Sequence, residues 1–212
     1  TRNVLPKYGF PVDSVELRTA YAGNATGSKL DLTRDLSQAI HEYAPDATLV
    51  AGGLQWTSRG IYRMPGRDLE EFEYRVCKRC GGFWQALADL APLCPHCGEA
   101  SDDPARTLTV PEFGFVAAKD TKKPGARPPR ASWSGETHVL REPQEVRERK
   151  LELPGGEARL RVGSRGRLVA VADGPGRGGF WICNWCGSGA SRIVNPKRPP
   201  AHEHLLSGKP CG

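Results

Sequence analysis

Polar and apolar residues alternate most clearly in the first half of the chain. "SVELRT" (14–19) has the period of a strand with one buried face. "LTRDLSQAIHEYAP" (32–45) changes that period, because Leu36, Ile40 and Tyr43 fall on one helical face. Thr33 is placed to cap the helix, Asp35 to sit in its electropositive first turn, and Pro45 to end it. "ATLVAGGLQWTS" reads as two short strands joined around Gly52 and Gly53. "LEEFEYRVC" sets Phe72, Tyr74 and Val76 on one face of a strand that runs into Cys77. Between the first strand and the helix, "AYAGNATGSK" reads as a loop.

The second half reads as a β-meander: "RERKLEL", the turn "PGG", "EARLRVG", the turn "SRG" and "RLVAVAD". A further short strand, "FWIC", enters a cysteine pair. The expectation is an α+β fold of mostly short antiparallel strands with one or two helices, bearing two zinc-ribbon or knuckle sites. Four segments follow in order. Residues 1–75 form an α+β N-terminal part, and 76–118 a first zinc ribbon with the strand after it. Residues 119–135 form a basic, Pro-rich linker, and 136–212 the meander with a second zinc site. The linker assignment rests on five Lys/Arg against one acid between 119 and 130, together with three prolines.

Composition agrees with many turns and little helix: of 212 residues, 25 are Gly and 18 are Pro. No apolar run approaches the ~20 residues of a membrane-spanning helix, and no charged-then-apolar leader is visible. A cytoplasmic location is expected. The opening "TRNVLPKYGFPV" reads like interior sequence, so a longer parent protein is expected.

Cysteine changes this picture most. Seven are present, an odd number that argues against a pure disulfide framework. Six form three C-x2-C pairs: Cys77/Cys80, Cys94/Cys97 and Cys183/Cys186. The first two pairs make C-x2-C-x13-C-x2-C, and Gly81 and Gly98 follow them. A knuckle must turn its backbone N–H groups toward the sulfurs, and glycine permits the positive φ this needs. Four thiolates leave no open coordination position, so the expected zinc is structural. The third pair, with Gly187 behind it, needs two more ligands. Downstream lie only His202, His204 and Cys211, which gives a Cys3His site with either histidine. Cross-braced pairing of the knuckles is an alternative that spacing leaves open. The formal charge is +6; seven metal-bound thiolates and two zinc ions would lower it to about +3. The chain is then only mildly basic, a weak argument for nucleic acid.

Motifs that would make the segment an enzyme fail. Gly23, Gly27 and Lys29 lack the order and spacing of a phosphate loop. His41-Glu42 and His202-Glu203 each begin H-E-x-x-H, but Pro45 and Leu206 occupy the fifth positions. Leu93 stands where a zinc deaminase would have proline. "CPHC" occurs in oxidising thioredoxin-like enzymes, where it opens a helix; "GEASDDPA" is a poor helix, and His96 reads as a knuckle residue rather than a ligand.

Several long blocks carry a resemblance: "RNVLPKYGFPVDSVEL", "LTRDLSQAIHEYAPDATLVAGGLQWTSRGIY", "VPEFGF" and the closing "GFWICNWCG…H…G…C". Together they resemble the zinc-binding C-terminal domain of unknown function of bacterial helicase-associated proteins, as in the mitomycin repair helicase and the DISARM anti-phage protein DrmB. The resemblance runs from Arg2 to Cys211, except for roughly 119–175. Such tails run His, Pro, Gly and Cys with two residues between each. His202, Gly208 and Cys211 fit, His204 does not, and Leu205 replaces the proline. The resemblance therefore implies His202 as the ligand. It also implies work beside a superfamily-two helicase core or partner subunit in DNA repair or phage defence. The motor motifs are not in these residues; an ATPase of the parent would lie outside them.

Two roles are expected from this. One is assistance to DNA binding, with Lys78, Arg79, Arg192, Lys197 and Arg198 at phosphates and Trp84, Trp181 and Trp185 stacking on bases. Each Trp also reads as packing against a ribbon. The other is a zinc-stabilised scaffold that docks a helicase subunit.

Overall fold

Val15 and Leu17 are buried while Ser14 is exposed, so the alternation in "SVELR" becomes a strand with one inward face. The computed structural model describes residues 13–126, 135–140, 146–163, 167–192 and 199–211. Its strands in chain order are β1 (Ser14–Arg18), β2 (Thr33–Asp35), β3 (Thr48–Ala51), β4 (Leu54–Ile61), β5 (Glu70–Val76), β6 (Phe83–Ala86) and β7 (Arg106–Val110). They continue with β8 (Phe115–Ala117), β9 (Gly135–Leu140), β10 (Val146–Leu153), β11 (Gly156–Gly163), β12 (Arg167–Ala172), β13 (Phe180–Ile182) and β14 (Gly189–Ser191). Among the described residues the one α-helix is α1 (Leu36–Glu42), and the fold is α+β with short, mostly antiparallel strands. No described helix is long and apolar enough to cross a membrane.

The chain divides into two compact units, and each collects segments distant in sequence. One comprises Thr1–Glu70, Thr109–Glu136 and Ala172–Gly212; the other comprises Glu71–Leu108 and Thr137–Val171. These units interleave the four segments read from the sequence rather than following them.

The first unit is built on a sheet of order β2-β1-β8-β4-β3, in which β1 and β8 run parallel. Every residue of β8 is buried, as a short central strand requires. Leu17, Tyr43, Trp56 and Phe115 fill the core beside α1, and each such side chain contributes about 1.5–3 kcal/mol of burial. Trp56 is held in place by its indole N–H, which donates to the Ala51 carbonyl at 3.0 Å. Gly52 and Gly53, with φ of 58° and 73°, form the two-residue turn between β3 and β4.

Three readings change here. Thr33 does not cap α1; it lies in β2 opposite Glu16, and strand pairing keeps it extended. Asp35 is the cap, its carboxylate accepting the Ser37 N–H at 2.8 Å. The 20–29 loop contains two 3-10 turns, Ala20–Ala22 and Gly27–Lys29. The expected linker starts later than residue 119, because Lys122 and Gln55 exchange backbone hydrogen bonds of 2.8 and 3.2 Å. Residues 127–134 of that linker lie outside the described residues.

The second unit is built on a sheet of order β12-β9-β6-β5-β7. Tyr74, Phe83 and Val171 form its core, with the Tyr74 and Phe83 rings stacked at 5.5 Å. The meander is only partly a meander. Strands β10 and β11 pair over eight positions as a separate two-stranded sheet, and β12 pairs with β9 instead of β11. Alternation marks a strand without naming its neighbour, which is why the sequence pattern misplaced β12.

Candidate metal centres

Three cysteine pairs share one local construction. The first cysteine donates its backbone N–H to the residue five positions on: Cys77 to Gly82, Cys94 to Glu99 and Cys183 to Ser188, each at 2.8 Å. The glycine four positions on returns an N–H to that cysteine's carbonyl: Gly81 at 2.8 Å, Gly98 at 2.9 Å and Gly187 at 2.8 Å. All three glycines have positive φ, 67°, 73° and 78°. The two thiols of each pair are thereby turned to one side of a tight hairpin.

The first centre brings Cys77, Cys80, Cys94 and Cys97 together, with their sulfurs within 4.8 Å of one another. The Cys77–Cys97 and Cys80–Cys94 sulfurs are both 3.6 Å apart. A disulfide would place them at about 2.05 Å. Sulfurs ~2.3 Å from a shared tetrahedral ion stand roughly 3.8 Å apart, so the quartet fits a metal ion. The N–H groups of Cys80 and Arg79 hold the Cys77 thiol down at about 7, while burial pushes Cys80 up to about 12. Trp84 packs against Cys77 and Cys94 and donates its indole N–H to Ala91 at 3.0 Å. It is a wall of the ribbon, not a free stacking surface. His96 is outside the quartet; its ring lies over Gly82, leaving no room there for a Cβ.

The second centre brings together Cys183, Cys186, His202 and Cys211, again within 4.8 Å. The Cys183 and Cys211 sulfurs are 3.9 Å apart. His202 points Nδ1 at the Pro200 carbonyl, 3.3 Å away, and among the described residues its buried Nε2 has no hydrogen-bond partner. That division is the one a ligating imidazole adopts, with one nitrogen for the metal and the other anchored on a carbonyl. His204 lies outside the quartet, and each quartet draws on its own region of the chain, not on a crossed pairing. Burial pushes Cys183 up, but the N–H groups of Cys186 and Trp185 outweigh it and bring the thiol to about 7. Burial raises Cys211 to about 11, with Cys186 and Cys183 adding to it. None of the seven cysteines is in a disulfide.

Family models, curated proteins and solved structures yield no match to this chain.

The anchoring of the second centre had no signal in the hydrophobic pattern. The ribbon formed by β13 and β14 rests on β4: Ile61 donates its N–H to the Gly187 carbonyl at 2.9 Å, and Gly60 bridges Ser188. A Cβ on Gly60 would collide with the Gly187 oxygen, and one on Gly187 with the Ile61 oxygen. The Asp46 carboxylate then accepts the Ser191 N–H at 2.8 Å. A glycine within "SRGIY" was the one available hint of this close approach.

The basic candidates are placed unequally. Lys78 pairs with Asp103 at 2.7 Å and Arg79 with Glu99 at 2.8 Å. These four line a cleft of ≈ 380 Å³ beside the first knuckle, so its cations already face acids. Arg192 lies 4.4 Å over the Trp181 ring, and Trp185 stands 77% exposed at the tip of the third knuckle. Lys197 and Arg198 lie outside the described residues.

Proposed function

We propose that the chain is a structural zinc module in which each quartet closes around one zinc ion. The observation that carries this is the pair of four-donor sets with the sulfur spacing of a tetrahedral site. Four protein ligands leave no position for substrate or water, so the ions shape the hairpins and do no chemistry. Metal analysis of the purified chain tests it. Two zinc ions per chain are expected, falling to one in Cys94→Ser and to one in Cys186→Ser. Two ions retained in either variant would sink the assignment.

The resemblance of the long sequence blocks supports placing this module beside a helicase core or partner subunit in DNA repair or anti-phage defence, where it assists DNA binding. The second ribbon is the contact surface in this reading, since Trp185 is exposed and Arg192 sits on Trp181 while Lys78 and Arg79 face acids. Trp185→Ala should weaken single-stranded DNA binding by about tenfold, and binding should fall steeply with salt. A wild-type chain that binds no DNA, or a Trp185→Ala chain that binds it equally well, overturns the DNA role.

One observation favours a second reading, a scaffold that docks the helicase subunit. Leu151, Leu153 and Leu160 are exposed, and the β10–β11 register sets them on one face of the hairpin. Under that reading Leu151→Asp with Leu160→Asp abolishes co-purification with the helicase subunit and leaves zinc content at two. Unchanged co-purification would remove it.

A further inference from the structure

The chain's last residues contain a knuckle without thiols. His204 donates its backbone N–H to the Lys209 carbonyl at 2.7 Å, and Gly208 donates to the His204 carbonyl at 2.8 Å. Gly208 has a φ of 71°. These are the hydrogen bonds, spacing and glycine conformation of the three cysteine knuckles, with His204 in the place of the first cysteine and Ser207 in the place of the second. The flanking pairing agrees as well. The residue before each knuckle faces the residue seven positions on: Val76 faces Phe83, Leu93 faces Ala100, Ile182 faces Gly189 and Glu203 faces Pro210.

What the imidazole does there follows from what the thiols do elsewhere. The Cys77 sulfur receives the N–H groups of Arg79 and Cys80, two and three positions on, and Cys183 receives those of Trp185 and Cys186. His204 Nδ1 receives the N–H groups of Leu206 at 3.3 Å and Ser207 at 3.4 Å. These donors point into a tight turn toward the side chain that opens it, which is their acceptor. In the cysteine knuckles a sulfur satisfies them and also binds metal; in the tail Nδ1 satisfies them, and coordination passes to other residues. His202 and Cys211 flank the Glu203–Pro210 bridge, tied by the Cys211 N–H to the His202 carbonyl at 3.1 Å. The turn thus sets the two ligands opposite each other.

We propose that His204 is the positioning residue of the second centre: its Nδ1 stands in for a knuckle thiolate as acceptor, closes the tail turn and holds His202 and Cys211 in register for the metal. The proposal rests on the two-zinc reading above and adds that the histidine outside the quartet governs how long the second ion stays. An acceptor is needed at this position, not an imidazole as such. Asparagine, whose side-chain oxygen accepts N–H groups two and three positions on, should serve in its place.

The test uses the full zinc-loaded chain. Zinc release to a chelating dye and the absorption of the cobalt-substituted protein are read for wild type, His204→Asn, His204→Ala and His202→Asn. Wild type and His204→Asn should hold two ions and release the second at similar rates. His204→Ala should speed that release by about tenfold or more, the scale of losing two weak hydrogen bonds, and keep the three-sulfur, one-nitrogen cobalt spectrum. His202→Asn should lose one ion. Long-range nitrogen–proton NMR of the wild-type chain, which needs no variant to fold, should show His204 protonated at Nε2 and bare at Nδ1. The proposal is overturned if His204→Ala releases zinc as wild type does, if His204→Asn behaves as His204→Ala, or if His204 carries its proton on Nδ1. A His204 variant that loses the nitrogen ligand from the cobalt spectrum makes His204 a ligand and overturns it too. A wild-type chain holding fewer than two ions defeats the two-zinc reading itself, a result separable from all of these.

Discussion

The two candidate metal centres differ in what builds them. The first is local: all four ligands lie between Cys77 and Cys97, on two knuckles of the same construction. The second joins one cysteine knuckle to the chain's tail, so its ligands run from Cys183 to Cys211. Its ribbon is also pressed, glycine against backbone, onto strand β4. A local centre needs little beyond its metal to form. A centre assembled from distant segments needs the fold, and the fold in turn loses an attachment when the metal leaves.

The largest effects should therefore separate the centres by reach. Cys94→Ser should lose one zinc and unravel the 77–99 ribbon. Cys186→Ser should lose one zinc and also free the Ile61 amide, whose partner is the Gly187 carbonyl. Hydrogen exchange reads this directly: Ile61 protection collapses in Cys186→Ser and survives in Cys94→Ser. Equal Ile61 protection in both variants would mean that the second metal does not secure the ribbon to β4.

Next in size comes a pair of glycines at the same knuckle position. Gly81 has a positive φ, and among the described residues a methyl group added there would find no atom within 4 Å apart from its two chain neighbours. Gly81→Ala should therefore cost only the backbone term, about 1–2 kcal/mol. Gly187 has the same sign of φ, but its added methyl would collide with the Ile61 oxygen. Gly187→Ala should cost about 1–3 kcal/mol more, the range for forcing atoms into a packed contact. Denaturant unfolding of the zinc-loaded variants checks it. Equal losses would show that the contact with β4 yields easily.

The same contrast explains what was legible in the sequence. The alternation within single strands, the turn at Gly52 and Gly53, and the spacing of the first quartet are all written within about twenty residues, where period and spacing carry the information. The helix was legible while its cap was not, because Thr33 is claimed by pairing with β1 and only the sheet reveals that. The partner of β12 was hidden, since alternation does not choose between β11 and β9. The seat of the second ribbon on β4 depends on the absence of two side chains, at Gly60 and Gly187, and leaves no periodic trace. The tail turn was hidden for a related reason: its ligand positions carry His204 and Ser207, so only Gly208 kept the knuckle spacing visible.

A smaller effect tests the chemical likeness of the centres. Each holds one thiol at about 7, Cys77 or Cys183, and one far above neutrality, Cys80 at about 12 or Cys211 at about 11. The depressed thiols are ionised above pH 7, so the affinity they lend is present there and lost as pH falls through that value. The raised thiols are still protonated at pH 8 and must shed a proton when metal enters. Titration calorimetry in buffers of different ionisation enthalpy should show at least one proton released per ion at pH 8, and weaker binding below about pH 7. Binding insensitive to pH between 6 and 8 would contradict the assignment of Cys77 and Cys183.

The smallest stability effect belongs to the tryptophan on the third knuckle, and its smallness is what makes it useful. Trp84 is 7% exposed and packs against Cys77 and Cys94, so its removal belongs with the core losses. Trp185 is 77% exposed and makes no part of a core cluster among the described residues. Trp185→Ala should shift unfolding free energy by less than about 0.5 kcal/mol and leave both ions bound. If the variant unfolds as wild type does yet binds DNA less tightly, the loss comes from the contact itself. If it is markedly destabilised, Trp185 packs in solution like Trp84, and the second ribbon loses the feature that sets it apart as a binding surface.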